Sequence, residues 1–382
     1  MQITVAKIDL EEALSVSRST VGNGTDLSSH YLFRKCESGV EILSYDMRMF
    51  SRAPLKCEFS GEASFTVEAW RLDKWVSGVA DTSLTITLGE NGEVTAKGSK
   101  GKVRLRSLDP NKFPYWDKLY QTANSYGTIA PATLAHAFSM AKGFVSDDET
   151  QKPELCQIET VDGVMRATDR RGLSSISIDS MANLNLRVSG RDISPVLKFL
   201  SLKETGLGSV DVLFAERPSG EGGGSSAFIR RLDGAYIGIT RPLADFPKLN
   251  VRTEDDDEAS FELNIADFKS AISVLSASAP KGHESIKLRY LDGRVFASMP
   301  SDAGGEDNYP LTVNGDILNG EVFESGFVVD YSYILGLAES FKTDVLKLGV
   351  NKRGKGGFVC ARYTDKPEDG GNKYYAAIVW KT

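Results

Sequence analysis

One spacing recurs along the chain and restricts what it can fold into. Within Ile3 to Arg18 a short β-type run, Ile3-Thr4-Val5, meets a polar joint at Ala6-Lys7. It then enters an amphipathic helix with Leu10 and Leu14 four apart on one face. The same spacing, an apolar residue followed five and nine positions later by two more, returns at Val67/Leu72/Val76, Ile129/Leu134/Phe138 and Val188/Ile193/Leu197. It returns again at Leu263/Phe268/Ile272 and Val329/Ile334/Ala338. Six strand-to-helix units at intervals of about 60 to 75 residues predict an internally repeated architecture.

At 382 residues the chain exceeds one ordinary core, since a domain takes roughly 100 to 200 residues. Three copies of a two-unit domain fit best. With 41% apolar and 25% charged residues the chain reads as soluble and globular. It has no uninterrupted apolar run of membrane-spanning length and no basic n-region followed by an apolar h-region, so the expectation is a cytoplasmic protein with no membrane partner. Cys36, Cys57, Cys156 and Cys360 are scattered without CxxC spacing, the pattern of reduced thiols rather than of a disulfide framework or zinc site. A formal charge of −7 argues against gripping nucleic acid with the whole surface but leaves room for a local basic lining.

After the first helix, Gly22-Asn23-Gly24-Thr25 reads as a turn, and Tyr31 to Ala53 alternates apolar and polar residues, with a break at Ser38-Gly39. A second helix is expected around Arg71 to Val79, a strand at Leu84 to Leu88, a hairpin at Glu90-Asn91-Gly92 and a strand at Lys102 to Arg106. Phe113-Pro114 followed by the polar run Gln121 to Gly127 marks a first boundary; Phe246-Pro247 before the acidic run Thr253 to Glu258 marks a second. The expected domains are therefore 1–122, 127–253 and 259–382. The second holds helices around Leu134 to Lys142 and Ile193 to Lys203, with a hairpin connection at Pro218 to Ser226. Helices around Phe268 to Ser278 and Tyr333 to Lys342 belong to the third, which ends in a strand at Tyr374 to Trp380.

Catalytic constellations are missing from the sequence. The glycine-rich loop at 220–226 lacks the Lys-Ser/Thr of a phosphate-binding loop, His30, His136 and His283 show no metal-ligand spacing, and there is no GxSxG elbow. These features fit a binder or scaffold needing no cofactor. The helix positions facing away from the anchors are small and polar: Glu12, Ser15 and Ser19 in the first unit, Lys74, Ser77 and Asp81 in the second. Arg18, Arg71, Lys142, Arg191, Lys203, Lys269 and Lys342 border this face, and Lys198 lies on it. Such a weakly basic surface suits loose, sequence-independent contact with a phosphate backbone.

Three segments carry a resemblance. Val103-Arg-Leu-Arg-Ser-Leu-Asp-Pro-Asn-Lys-Phe-Pro114, Ala167-Thr-Asp-Arg-Arg-Gly-Leu173 and Ala376-Ala-Ile-Val-Trp380 resemble matching parts of the bacterial β sliding clamp family, the processivity subunit of DNA polymerase III. The similarity runs through all three domains in order. It implies an α+β DNA clamp fold, three repeated domains each with two helices on antiparallel sheets, closing head to tail into a homodimeric ring. It also implies double-stranded DNA, a DNA polymerase and an ATP-dependent clamp loader as partners, and no catalysis. DNA contacts would come from Arg18, Arg71, Lys74, Lys142, Arg191, Lys198 and Lys203.

By the same resemblance the ring joint would bring Val103 and Leu105 of the Lys102–Leu108 strand against a strand near Arg294–Met299, with Val274 and Leu275 of the neighbouring helix. A pocket for partner peptides would use Thr168, Arg171, Leu173, Pro247, Val379 and Trp380. Arg171-Gly172 stands where the family usually carries His-Arg, and the chain ends at Lys381-Thr382 without the family's last few residues, so a different peptide is expected. Such divergence would suit a phage-encoded member with its own polymerase. Glu12 is acidic and Gly24 replaces the family's basic loop residue, which leaves Arg18 as the first helix's phosphate contact. Two rival readings are a repeat-built structural or assembly protein that does not bind DNA, and an enzyme with a cleft near Asp169 and Arg170.

Overall fold

The computed structural model describes residues 1–62, 64–114, 116–150, 152–182, 184–216, 225–249, 257–353, 356–364 and 373–381. Most of the loop expected at 218–226 and of the acidic run at 253–258 lies outside them.

Among the described residues seven α-helices are present: α1 (Lys7–Ser17), α2 (Ala69–Gly78), α3 (Asp117–Gln121), α4 (Pro131–Lys142), α5 (Gly190–Leu200), α6 (Ile265–Leu275) and α7 (Tyr331–Phe341). Every one except α3 directly follows a strand, or is separated from it by one residue, as the repeated spacing predicts. The anchors explain why. Val5, Leu10 and Leu14 are at most 2% exposed, and Val67, Leu72 and Val76 at most 1%, so strand and helix drive apolar groups into one core. Leu197 and Ile272 depart from the pattern and are half-buried. Asn264 and Asp330 cap α6 and α7 with side-chain oxygens that accept backbone N–H groups.

The chain divides into two compact units, residues 1–135 with 191–243, and residues 136–190 with 244–382. In the first unit one sheet has five strands, ending at the edge strand Lys102–Leu105, whose outer edge has no partner strand among the described residues. Its other sheet has eight antiparallel strands and joins Met49–Leu55 to Tyr236–Thr240 in register. The polar run at 121–127 enters the strand Asn124–Ile129, paired with Val210–Glu216. Tyr31 to Ala53 contributes three strands, because Met49–Leu55 returns against Gly39–Tyr45. Phe50 stacks on Trp116, with ring centroids 4.4 Å apart, which seats α3 on this sheet. Beside it, buried Glu41 is held by Arg34 and Arg52, and Arg34 reaches on to Asp117 of α3 at 2.7 Å. Glu41 keeps one cation if either arginine is removed; removing both would strand its buried charge, at a cost of about 3–5 kcal/mol.

The second unit carries a single thirteen-stranded antiparallel sheet. Its C-terminal strand Lys373–Lys381 pairs with Gly172–Ser177 on one side and with Gly356–Thr364 on the other. The strand Arg294–Pro300, expected near the ring joint, is paired along both edges, by Ser285–Leu291 and Glu306–Leu311. A strand with both edges satisfied cannot add another. The end of the ordered strand path is Glu306–Leu311 instead.

Candidate functional site: a cleft beside the C-terminal strand

A cleft of about 260 Å³ opens in the second unit, lined by residues of four segments: the turn at 168–173, Lys248-Leu249, Phe358, and one face of the C-terminal strand. Alternation along that strand puts Tyr375, Ala377 and Val379 on the cleft side. Register sets Phe358 opposite Val379 and Cys360 opposite Ala377.

The turn is rigidly built. Asp169 Oδ1 accepts the backbone N–H groups of Arg171 and Gly172 at 2.8 and 2.7 Å, an Asx-type cap. Thr168 Oγ1 donates to the Gly172 carbonyl at 2.6 Å and accepts from Arg170 N at 3.1 Å. Arg170 takes the left-handed conformation, φ +71°, that closes so tight a reversal. From behind, Tyr333 donates to Asp169 Oδ2, and its hydroxyl pKa is pushed up by burial and by that carboxylate. A Cβ on Gly172 would lie 2.6 Å from the Phe144 ring, so the position has no room for a side chain. Val379 N donates to the Arg171 carbonyl at 2.8 Å and ties the C-terminal strand to the turn.

The resulting surface is apolar at its base, where Ala377 is 4% and Tyr375 7% exposed, and basic at its rim, where Lys248 and Arg170 stand exposed. Arg170 pairs with Glu154 at 3.2 Å. Of the predicted pocket residues, Thr168, Leu173 and Val379 line the cleft. Pro247 adjoins the lining pair Lys248-Leu249, Arg171 is exposed while its neighbour Arg170 lines the cleft, and the side chain of Trp380 lies outside the described residues. Sequence reasoning missed Tyr375 and Phe358. The alternation of the C-terminal strand could have found Tyr375; Phe358 needed the strand register.

The predicted basic residues differ in their surroundings. Arg18 is forked onto Asp73 at 2.9 and 3.0 Å, and Tyr31 donates to the same carboxylate. Hydrogen bonding to Asp73 raises the Arg18 pKa. Arg71 pairs with Glu68 at 2.6 Å and lies 4.8 Å over the Trp70 ring. Lys74, Lys142, Arg191, Lys198 and Lys203 are exposed. Glu12, expected on an open face, is half-buried, because Arg231 comes within 2.9 Å of it. At the predicted joint, Leu105 and Leu275 are 4% and 2% exposed, whereas Val274 is 58% exposed and Val103 half-buried.

Among the described residues no group of three His, Cys, Asp or Glu is placed to hold a metal ion, and no helix is long and apolar enough to cross a membrane.

The chain has the fold of the DNA sliding clamps, matched from end to end. Among solved structures it matches the Helicobacter pylori β clamp in complex with carprofen, at 16% identity and a TM-score of 0.80 over 100% of both chains. It also matches the β subunit of Streptococcus pyogenes DNA polymerase at 15% identity, TM-score 0.79, over 100% of both chains. The DNA polymerase sliding clamp of Bacillus subtilis follows the same fold at 15% identity, TM-score 0.78, over 100% of this chain and 99% of that one. Neither a protein-family model nor a curated protein sequence matches the chain.

Proposed function

We propose that the protein is a DNA sliding clamp, a non-catalytic processivity factor that encircles duplex DNA and tethers a replicative DNA polymerase. The observation that carries this reading is the full-length likeness to polymerase clamps, at a TM-score of 0.80 with both chains covered entirely. A repeat-built assembly protein that does not bind DNA is not favoured by it.

Two chains, each of three domains at 1–122, 127–253 and 259–382, form the ring. The joint uses two unpaired strand edges of opposite charge: Lys102–Leu105, where Lys102 and Arg104 are exposed, and Glu306–Leu311, where Glu306 and Asp307 are exposed. Val103 and Val274 supply open apolar surface there. Lys74, Lys142, Arg191, Lys198 and Lys203 meet phosphates loosely, with Arg18 and Arg71 held back by their carboxylates. The cleft receives a short apolar peptide of the polymerase or of an ATP-dependent clamp loader; the clamp itself needs no cofactor. The setting is the cytoplasm, where such a ring works on DNA.

The test is particle imaging with mass measurement. A closed ring of twice the chain's 41.6 kDa, with a hole wide enough for duplex DNA, is expected; a monomer or a solid oligomer would refute the proposal.

A further inference from the structure

Tyr375 forms part of the cleft's base, and a second set of side chains holds it there. Arg362, its cross-strand partner, has its guanidinium carbon 5.2 Å from the centre of the Tyr375 ring. The hydroxyl of the same tyrosine lies 3.2 Å from Cys360 Sγ, which Asn351 Nδ2 approaches at 3.8 Å. Arg362 is fixed in turn by Asp257. One nitrogen donates to Oδ1 at 3.1 Å and another to Oδ2, while Asn351 Nδ2 donates to Oδ1 at 2.9 Å.

Both charged side chains are mostly covered, Arg362 15% and Asp257 12% exposed. Burial alone would lower the Arg362 pKa, and the hydrogen-bonded Asp257 carboxylate outweighs it, leaving the group above its ordinary value. Asp257 sits in a notch that exists because residue 349 is glycine: a Cβ there would overlap the carboxylate. Gly349, Asp257, Arg362 and Tyr375 thus form a chain of contacts that runs along one face of the sheet to the cleft. A tyrosine with a cation over its face and its hydroxyl engaged has few rotamers left, so the apolar base is formed before anything binds.

We infer that Arg362, held by Asp257, is a positioning residue of the cleft, fixing the Tyr375 ring as a preformed wall for an apolar peptide. This rests on the peptide-pocket reading above. Lysine cannot replace Arg362, because a point charge on a thin stem does not grip both carboxylate oxygens and also cover a ring.

The experiment uses the full chain with 3-fluorotyrosine at 375 and, as probe, the tightest binder to wild type from a library of ten-residue peptides each carrying two adjacent large apolar residues. Arg362→Lys, Asp257→Asn and Gly349→Ala are compared with wild type, each checked for an unchanged thermal transition. Each variant is expected to weaken the probe about tenfold and to shift or broaden the free protein's fluorine resonance; the double variant Asp257→Asn/Arg362→Lys is expected to be no worse than either single one. Wild-type binding and resonance in all three variants would overturn the inference. If no peptide binds wild type, the pocket reading fails by itself, and the resonance alone decides: a moved signal supports the positioning role and an unmoved one refutes it. If the single variants fail to fold, the double variant Asp257→Asn/Arg362→Gln, which removes both charges together and strands neither, is read in the same way.

Discussion

The cleft of the second unit and the exposed basic residues Lys74 and Lys198 of the first are built in opposite ways. The cleft is built from fixed parts: an Asx-capped turn, a glycine that admits no Cβ, and a strand tied on both edges. Its side chains hold one geometry, as selective recognition of a peptide requires. Among the basic residues, by contrast, Arg18 and Arg71 are engaged by Asp73 and Glu68, and Lys74 and Lys198 are exposed, long side chains on helix surfaces. A ring that must slide needs many weak phosphate contacts and no grip. Order on one side and looseness on the other are what a mobile tether requires.

The largest effect should come from the ordered side. Deleting Val379 to Thr382 removes one cleft-lining side chain and the backbone bond from Val379 to Arg171. Polymerase stimulation in a primer-extension assay is expected to vanish while the dimer's mass stays unchanged; full stimulation would break the comparison at its first term.

On the loose side the expected effect is graded. Lys74→Glu combined with Lys198→Glu should shorten retention on DNA several-fold and make it more salt-sensitive, with assembly intact. Arg18→Gln should change retention less than Lys74→Gln alone, because the Arg18 guanidinium is already spent on Asp73. Equal losses would mean that pairing with Asp73 does not weaken the Arg18 contact.

The smallest effect concerns pH. His30 is 1% exposed, its Nε2 has no hydrogen-bond partner among the described residues, and burial lowers its pKa despite nearby Asp26 and Glu68. The fold therefore keeps the imidazole neutral, whereas the unfolded chain takes up a proton near its ordinary value of about 6.5. His30 contributes stability above that pH and loses it as the pH falls through the lowered folded pKa. Thermal melts of His30→Asn between about pH 7 and 5 should show a flatter decline than wild type. A parallel decline would remove His30 from the account.

Much of the fold was legible because it rests on apolar spacing, which the sequence displays directly. Val5, Leu10 and Leu14 could be read as a strand feeding a helix, and the other five units repeated the reading. What stayed hidden depends on partners far along the chain. Arg294–Met299 looks like any amphipathic strand, and only the pairing reveals that Glu306–Leu311 holds the open edge. Glu12 looked exposed because nothing local announces Arg231, more than two hundred residues away. At the cleft, Thr168, Leu173 and Val379 came from resemblance, while Phe358 and the Asp257–Arg362 contact emerge only from sheet register.

Encirclement is a topological property, and one measurement addresses it directly. The protein is incubated with a nicked circular duplex, ATP and a bacterial clamp loader, and retention is followed by gel filtration before and after a single restriction cut. Stable retention on the circle and rapid loss from the linear product is the expected result, because a ring leaves only by sliding off an end. Equal retention on both forms would mean that the protein grips DNA rather than encircles it, and would contradict the account.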